Sequence, residues 1–167
     1  MSDQPTTATQ ARARVTELAR AARICMLTTT ALDGRQVSRP MGLQEAEFDG
    51  DLWFFAYADS AKVRQIRVNP EVNVAFSDQR HNAWVSISGT ATEGFDRARA
   101  DQLWSPLLKA WFPDGLDTPG LTLIKVHTSS AEYWDSPSST VVNLLGYAKA
   151  AVTGRPPNAG ENHEVTY

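Results

Sequence analysis

LWFFAYADSAKVRQIRVNPEVNVAFSD, residues 52–78, decides the architecture. It opens on an aromatic run, Leu52 to Tyr57, too rich in strand formers to be a surface loop. Ser60 then stands where a helix N-cap belongs, and Val63 and Ile66 supply one buried stripe. Asn69-Pro70 stops that helix. Val72, Val74 and Phe76 alternate with polar residues, the mark of a half-buried strand. A strand, a short helix and a strand in so little chain mean compact β structure with helices at the connections.

Working outward, Ile24–Thr30 is apolar and β-branched and ends at Asp33-Gly34, a hairpin signal; Arg35–Gln44 is the return strand. Asp49-Gly50 is a second such turn, so the first three strands are expected to form an antiparallel meander. Residues 11–22 show helical spacing at Val15, Leu18, Ala19 and Ala22. Downstream, Trp84, Val85, Ile87 and Gly89 belong to a fifth strand, with Gly89 marking a bulge or bend. Asp96–Phe112 returns to helical spacing, but Pro106 splits it into two short helices, the second starting at Ser105-Pro106. Leu121–Trp134 is a sixth strand, apolar at both odd and even positions and so buried on both faces for part of its length. Ser136-Pro137 opens a last helix with Val141, Leu144, Leu145 and Ala148. Residues 1–10 and 153–167 are expected to be disordered or flexible, leaving one domain over 11–152. The sum is an α+β domain of six mostly antiparallel strands, best closed into a small barrel that removes free edges.

Composition narrows the function. The 167 residues are 42% hydrophobic and 21% charged, globular values, and the net charge of −3 gives no basic field for nucleic acid. No apolar run reaches membrane-spanning length, and MSDQPTTATQARARVTELAR lacks the apolar core of a secretory signal; a cytoplasmic location is the expectation. Cys25 is the single cysteine and lies in an apolar stretch, as a buried structural thiol would. His81, His127 and His163 are too scattered for a zinc site, and no nucleophile-elbow motif is present. Any difficult chemistry therefore falls to a bound cofactor.

Two cations stand out. Arg39 is in the middle of the second strand, and Lys62 is in the first turn of a helix, where the dipole disfavours a cation. One reading makes both solvated surface charges. The other places an anion between Arg39, Lys62 and Ser60.

With RPMGLQ (39–44), WVSISGTA (84–91), LWSPLLKAWFPDG (103–115), AEYWDSPSSTVV (131–142) and AVTGRPP (151–157), the opening stretch closely resembles the general stress protein 26 branch of the pyridoxamine-5′-phosphate-oxidase-like flavoproteins. The resemblance runs over about residues 20–160. It implies a split β-barrel that is a homodimer, with FMN in a groove between subunits. It assigns Arg39, Ser60 and Lys62 to the FMN phosphate. The backbone of Pro40, Met41, Gly42 and Leu43 would face the flavin ring, that of Phe55 and Ala56 would line the cofactor, and Trp134 would reach it from the end of the barrel. Trp111, with Phe112, either covers the flavin face or simply packs.

Departures from the vitamin B6 oxidases of that superfamily are as informative. Ala61 stands where they have a second phosphate arginine, Gln44 where they have a lysine, and Trp84 where they have a glutamine. Their C-terminal substrate-binding arginine and histidine have no counterpart after Trp134. The resemblance thus implies an FMN-dependent oxidoreductase on an unknown small molecule rather than a B6 oxidase. A non-catalytic, redox-responsive flavin protein is the alternative, as are FAD, the deazaflavin F420 or haem in place of FMN.

Overall fold

The structure, a computed structural model, describes residues 8–21, 23–44, 50–78, 83–135 and 161–166. In chain order the elements are α1 (Ala8–Ala21), β1 (Ile24–Thr30), β2 (Gln36–Gly42), β3 (Asp51–Tyr57), α2 (Ala61–Val68), β4 (Glu71–Asp78), β5 (Ala83–Gly94), α3 (Arg97–Leu103), 3-10 segments at Pro106–Ala110 and Gly115–Asp117, β6 (Leu121–Asp135) and β7 (Glu161–Thr166).

All strand pairs are antiparallel, in the order β2-β1-β4-β5-β6-β3, with β7 also on β6. The two ends of that path, β2 and β3, come close to each other without sharing a ladder. The sheet is therefore curled into a split barrel. β6 is the common rail: one edge carries β5 along its length, while the other takes β3 from Leu121 to His127 and β7 from Ser130 to Asp135.

The barrel interior is filled by alternate side chains, among them Leu27, Phe54, Val74, Ile87, Ile124 and Val126, closed off by Val15 and Leu18 of α1 and Val63 and Ile66 of α2. A second apolar cluster lies outside the barrel. Phe55, Leu121 and Leu123 on the outer side of β3 and β6 pack under Ala100 and Leu103 of α3 and Phe112 of the following loop. Phe55 meets Trp104 edge-on, ring centroids 5.5 Å apart.

Several sequence expectations hold. Asp33-Gly34 makes the β1–β2 hairpin, with Gly34 at φ 83°. Val63 and Ile66 are the buried stripe of α2. Pro106 ends one helix and begins a 3-10 segment. Leu121–Ile124 is buried on both faces. Gly89 sits at the one register shift between β5 and β6, where a Cβ would collide with the His127 carbonyl. Cys25 is buried, its thiol against the Met41 carbonyl and pushed up to about 12 by desolvation.

Others need correction. The meander stops at two strands, because β3 leaves β2 and pairs with β6. β3 is apolar on both faces, and only beside β6, with the barrel core on one side and α3 on the other, are both covered. The first helix begins at Ala8, inside the segment expected to be disordered. Glu161–Thr166, expected to be tail, is a strand: β6 extends past the end of β3 and leaves an edge that β7 takes, where Arg12 of α1 donates to the Thr166 carbonyl at 2.6 Å. The helix expected after Ser136 lies outside the described residues. No helix among the described residues is long and apolar enough to cross a membrane.

Candidate functional site

β2 delivers Arg39 to the inner side of the sheet, in register with Leu27 of β1. α2 follows the end of β3 after a tight turn, Ser60 N–H donating to the Tyr57 carbonyl at 3.0 Å. The helix then lies against β1 and brings Gln65 onto Arg39. Arg39 Nη1 donates to Thr29 Oγ1 at 2.6 Å and to the Leu27 carbonyl at 3.3 Å, and Nη2 donates to Gln65 Oε1 at 3.1 Å. Thr29 Oγ1 in turn donates to Gln65 Oε1 at 2.6 Å. Every one of these acceptors is neutral.

Lys62, one turn before Gln65 on the same helix face, is close enough to Arg39 for the two charges to repel. Its ammonium is lowered from its ordinary value first by desolvation and then by Arg39; Arg39 is itself lowered by desolvation. Among the described residues neither forms an ion pair. Two partly buried cations without a counter-charge are unfavourable unless something anionic joins them.

Ser60 sharpens the point. It occupies the N-cap position of α2 with extended backbone, as expected, but its side chain makes no capping bond, and the buried Oγ has no partner among the described residues. A buried hydroxyl is ordinarily satisfied. The first-turn amides of α2 also lack intrahelical acceptors. The donors Arg39 has left over, Lys62, Ser60 Oγ and these amides thus have no anionic acceptor among the described residues and form a cradle: the chemistry of a phosphate or similar oxyanion site.

The remaining candidates are placed as follows. Pro40, Met41 and Gly42 continue β2, with Leu43 just past its end. Among the described residues β2 ends the sheet, so one row of its backbone groups has no strand partner, which is also where a proline is tolerated. Phe55 and Ala56 are buried on β3, likewise a terminal strand. The Phe55 ring belongs to the outer cluster, so backbone, not side chain, is what β3 offers across the gap to β2. The Trp111 carbonyl accepts from Tyr57 Oη at 2.8 Å, which fixes the loop at the end of β3 while the indole is 66% exposed.

Trp134 is not brought to the cradle. It is on the outer face of β6 opposite Trp84 of β5. That face is the one opposite to the interior that Arg39 enters. Sequence reasoning also passed over Thr29 and Gln65. The signals were there: Thr29 is a polar residue at an inward position of an apolar strand, and Gln65 is three residues after Lys62 on one helix face. Among the described residues no group of three His, Cys, Asp or Glu side chains could hold a metal ion.

Residues 10–158 match the family model described as pyridoxamine 5'-phosphate oxidase like. The chain is 29% identical over 150 residues to protein bli-3 of Neurospora crassa, covering 84% of this chain and 72% of that one. Among solved structures, the general stress FMN/FAD binding protein of Xanthomonas citri is 32% identical at a TM-score of 0.66, covering 75% of this chain and 89% of its own. A candidate general stress protein 26 from Jannaschia sp. CCS1 superposes at a TM-score of 0.76 over 95% of this chain and 99% of its own, with 24% identity.

Proposed function

Since the chain belongs to the pyridoxamine 5'-phosphate oxidase like family, in its general stress protein branch, we propose that it binds FMN and serves as a flavin-dependent oxidoreductase on a small planar molecule. The observation that carries this reading is the donor cradle: Arg39 and Lys62 without a counter-ion beside the unpartnered Ser60 hydroxyl. A phosphate monoester brings up to two negative charges and three acceptor oxygens to one point, which matches two cations, a hydroxyl and helix amides. In FAD the same phosphate is half of a diphosphate bridge and carries a single negative charge, which is the reason to favour FMN. When bound, FMN supplies two-electron hydride chemistry.

The chain's own residues position and shelter it. The outer edge of β2 at Pro40 and Gly42 offers backbone groups to a heterocycle, with Met41 and Leu43 tied toward β1, and the β3 edge at Phe55 and Ala56 bounds the opposite side of the gap. The exposed Trp111 indole, anchored through its carbonyl by Tyr57 at the end of β3, offers a stacking surface.

Homodimerisation belongs to the same proposal. The outer face of β2-β1-β4-β5-β6 carries Pro40, Ile24, Met26, Trp84 and Trp134, all exposed and uncovered by any helix among the described residues. Trp134 points outward, away from the interior that Arg39 enters. Two-fold pairing of this face lets the tryptophan of one copy serve the β2 of the other.

B6 phosphates are poor candidates for the substrate. Asp135–Leu145 contains one acid and no base, so nothing there receives a substrate phosphate. Titration of the apo-protein with FMN, FAD and riboflavin, followed by absorption and fluorescence, tests the cofactor; FMN is expected to bind at least about tenfold more tightly than riboflavin. Equal affinities would remove the phosphate reading. Turnover of pyridoxamine phosphate is expected well below a kcat/KM of about 10⁴ M⁻¹s⁻¹, and light scattering should give twice the 18.3 kDa chain mass.

A further inference from the structure

Arg39 is held from behind by a relay whose components come from two other elements. Nη1 spends both of its hydrogens, on Thr29 Oγ1 and the Leu27 carbonyl, and Nη2 spends one on Gln65 Oε1. A guanidinium has five donors in a rigid plane. The two left over belong to Nε and Nη2, the adjacent pair that meets two oxygens of one anion side by side. Thr29 fixes the direction of the relay: its hydroxyl accepts from Arg39 and gives its own proton to Gln65 Oε1. Gln65 Oε1 therefore accepts twice, once from β1 and once from β2, while its backbone belongs to α2, three residues beyond Lys62. One amide oxygen sets the spacing between the helix that carries Ser60 and Lys62 and the strand that carries Arg39.

We infer that Gln65, acting with Thr29, is a positioning residue that presents the free edge of Arg39 to a phosphate monoester, and that its neutrality is what keeps the cradle selective for a dianion. A carboxylate at position 65 would reach the same guanidinium and become the internal counter-ion that the site lacks. Both cations would then be partly neutralised before any ligand arrived. A neutral side chain of similar length without an acceptor would leave the charges in place but release the guanidinium from its fixed plane.

This inference rests on the phosphate reading proposed above, and the experiment separates the two. Wild type, Gln65→Glu, Gln65→Met and Thr29→Val are titrated as apo-proteins with FMN and with riboflavin, and each is melted without ligand. The quantity read is the ratio of the two affinities, which isolates the phosphate. In Gln65→Glu the ratio is expected to fall by at least about tenfold, with riboflavin affinity unchanged and the apo melting temperature equal or higher. Gln65→Met and Thr29→Val should lower the ratio less, again through FMN alone. A merely structural Gln65 predicts the opposite pattern: a lower apo melting temperature and equal weakening of both ligands. That pattern, or an unchanged ratio in both Gln65 variants, overturns the inference. A wild type that binds FMN and riboflavin equally overturns the phosphate reading and the inference with it.

Discussion

Lys125 closes a 2.7 Å salt bridge to Asp51, and the same carboxylate takes His127 at 2.9 Å; Lys62 has Arg39 for its electrostatic neighbour and no ion-pair partner among the described residues. The two groups belong to the same small barrel. In the first, burial pushes the Asp51 carboxyl up, but hydrogen bonds and charge from Lys125 and His127 outweigh it, and the net shift is downward. Lys125 also stands 5.5 Å from the centre of the Trp53 ring, which Arg99 approaches at 4.7 Å from its own position. Charge there is spent inside the chain. In the second group the shifts are those of cations made less comfortable by folding. The fold pairs its charges at one place and at another leaves two partly buried cations without an ion-pair partner among the described residues, the contrast on which the proposed phosphate site rests.

The largest effect expected from breaking that contrast is at Lys62. Lys62→Ala should weaken FMN by about 10- to 150-fold, the range of about 1.5–3 kcal/mol for a charge-assisted hydrogen bond. The apo-protein should be as stable as wild type or more so, since a cation leaves both Arg39 and the positive end of a helix. Fluorescence titration and an apo melt check the two halves, and a loss of apo stability would place Lys62 with Lys125 as a structural charge.

Asp51→Asn comes next and acts on stability alone. The folded carboxyl is depressed, so its contribution is fully present above the unfolded value near 3.9 and disappears as pH falls through the folded value. Wild type should exceed Asp51→Asn by about 1 kcal/mol or less at pH 7, with the gap closing in strong acid. Urea melts at pH 7 and pH 2 give the difference. The smallest effect is expected for Lys125→Ala, a few tenths of a kcal/mol for a partly exposed pair, shrinking further in high salt, with FMN affinity untouched.

What was legible in the sequence was local. Asp33-Gly34, the Val63/Ile66 stripe, the alternation through Phe76, and Pro106 each announce themselves within a few residues. So did the misplaced charge of Lys62, because a helix's first turn has a known polarity. The partner of β3 was not legible: Trp53 to Ala56 is apolar on both faces, so period-two reasoning is silent, and the Asp49-Gly50 turn argued for β2. Nor was β7, whose Glu161-Asn162-His163-Glu164 is too polar to read as a strand; it forms because β6 leaves an edge there. Ser60 was recognised as an N-cap by type, yet its side chain is withheld from the cap, which no composition rule reveals. Thr29 and Gln65 became visible only when β1 and α2 were laid against β2.

The pairing of β3 also bears on how the molecule comes to be. Thr30 and Gln36, bonded across the first hairpin, are six residues apart, whereas Asp51 and His127 are separated by 76. Contacts of the first kind form quickly and those of the second slowly, because a long loop must close before any gain is made. β3 has no ladder partner but β6 among the described residues, and α2 hangs from its end. The hairpin that carries Arg39 is therefore expected to pair early, and β3, with the start of α2 that follows it, to be fixed in the sheet only once β6 is available; pulsed hydrogen exchange should protect the Thr30–Gln36 end of the hairpin before the β3–β6 ladder.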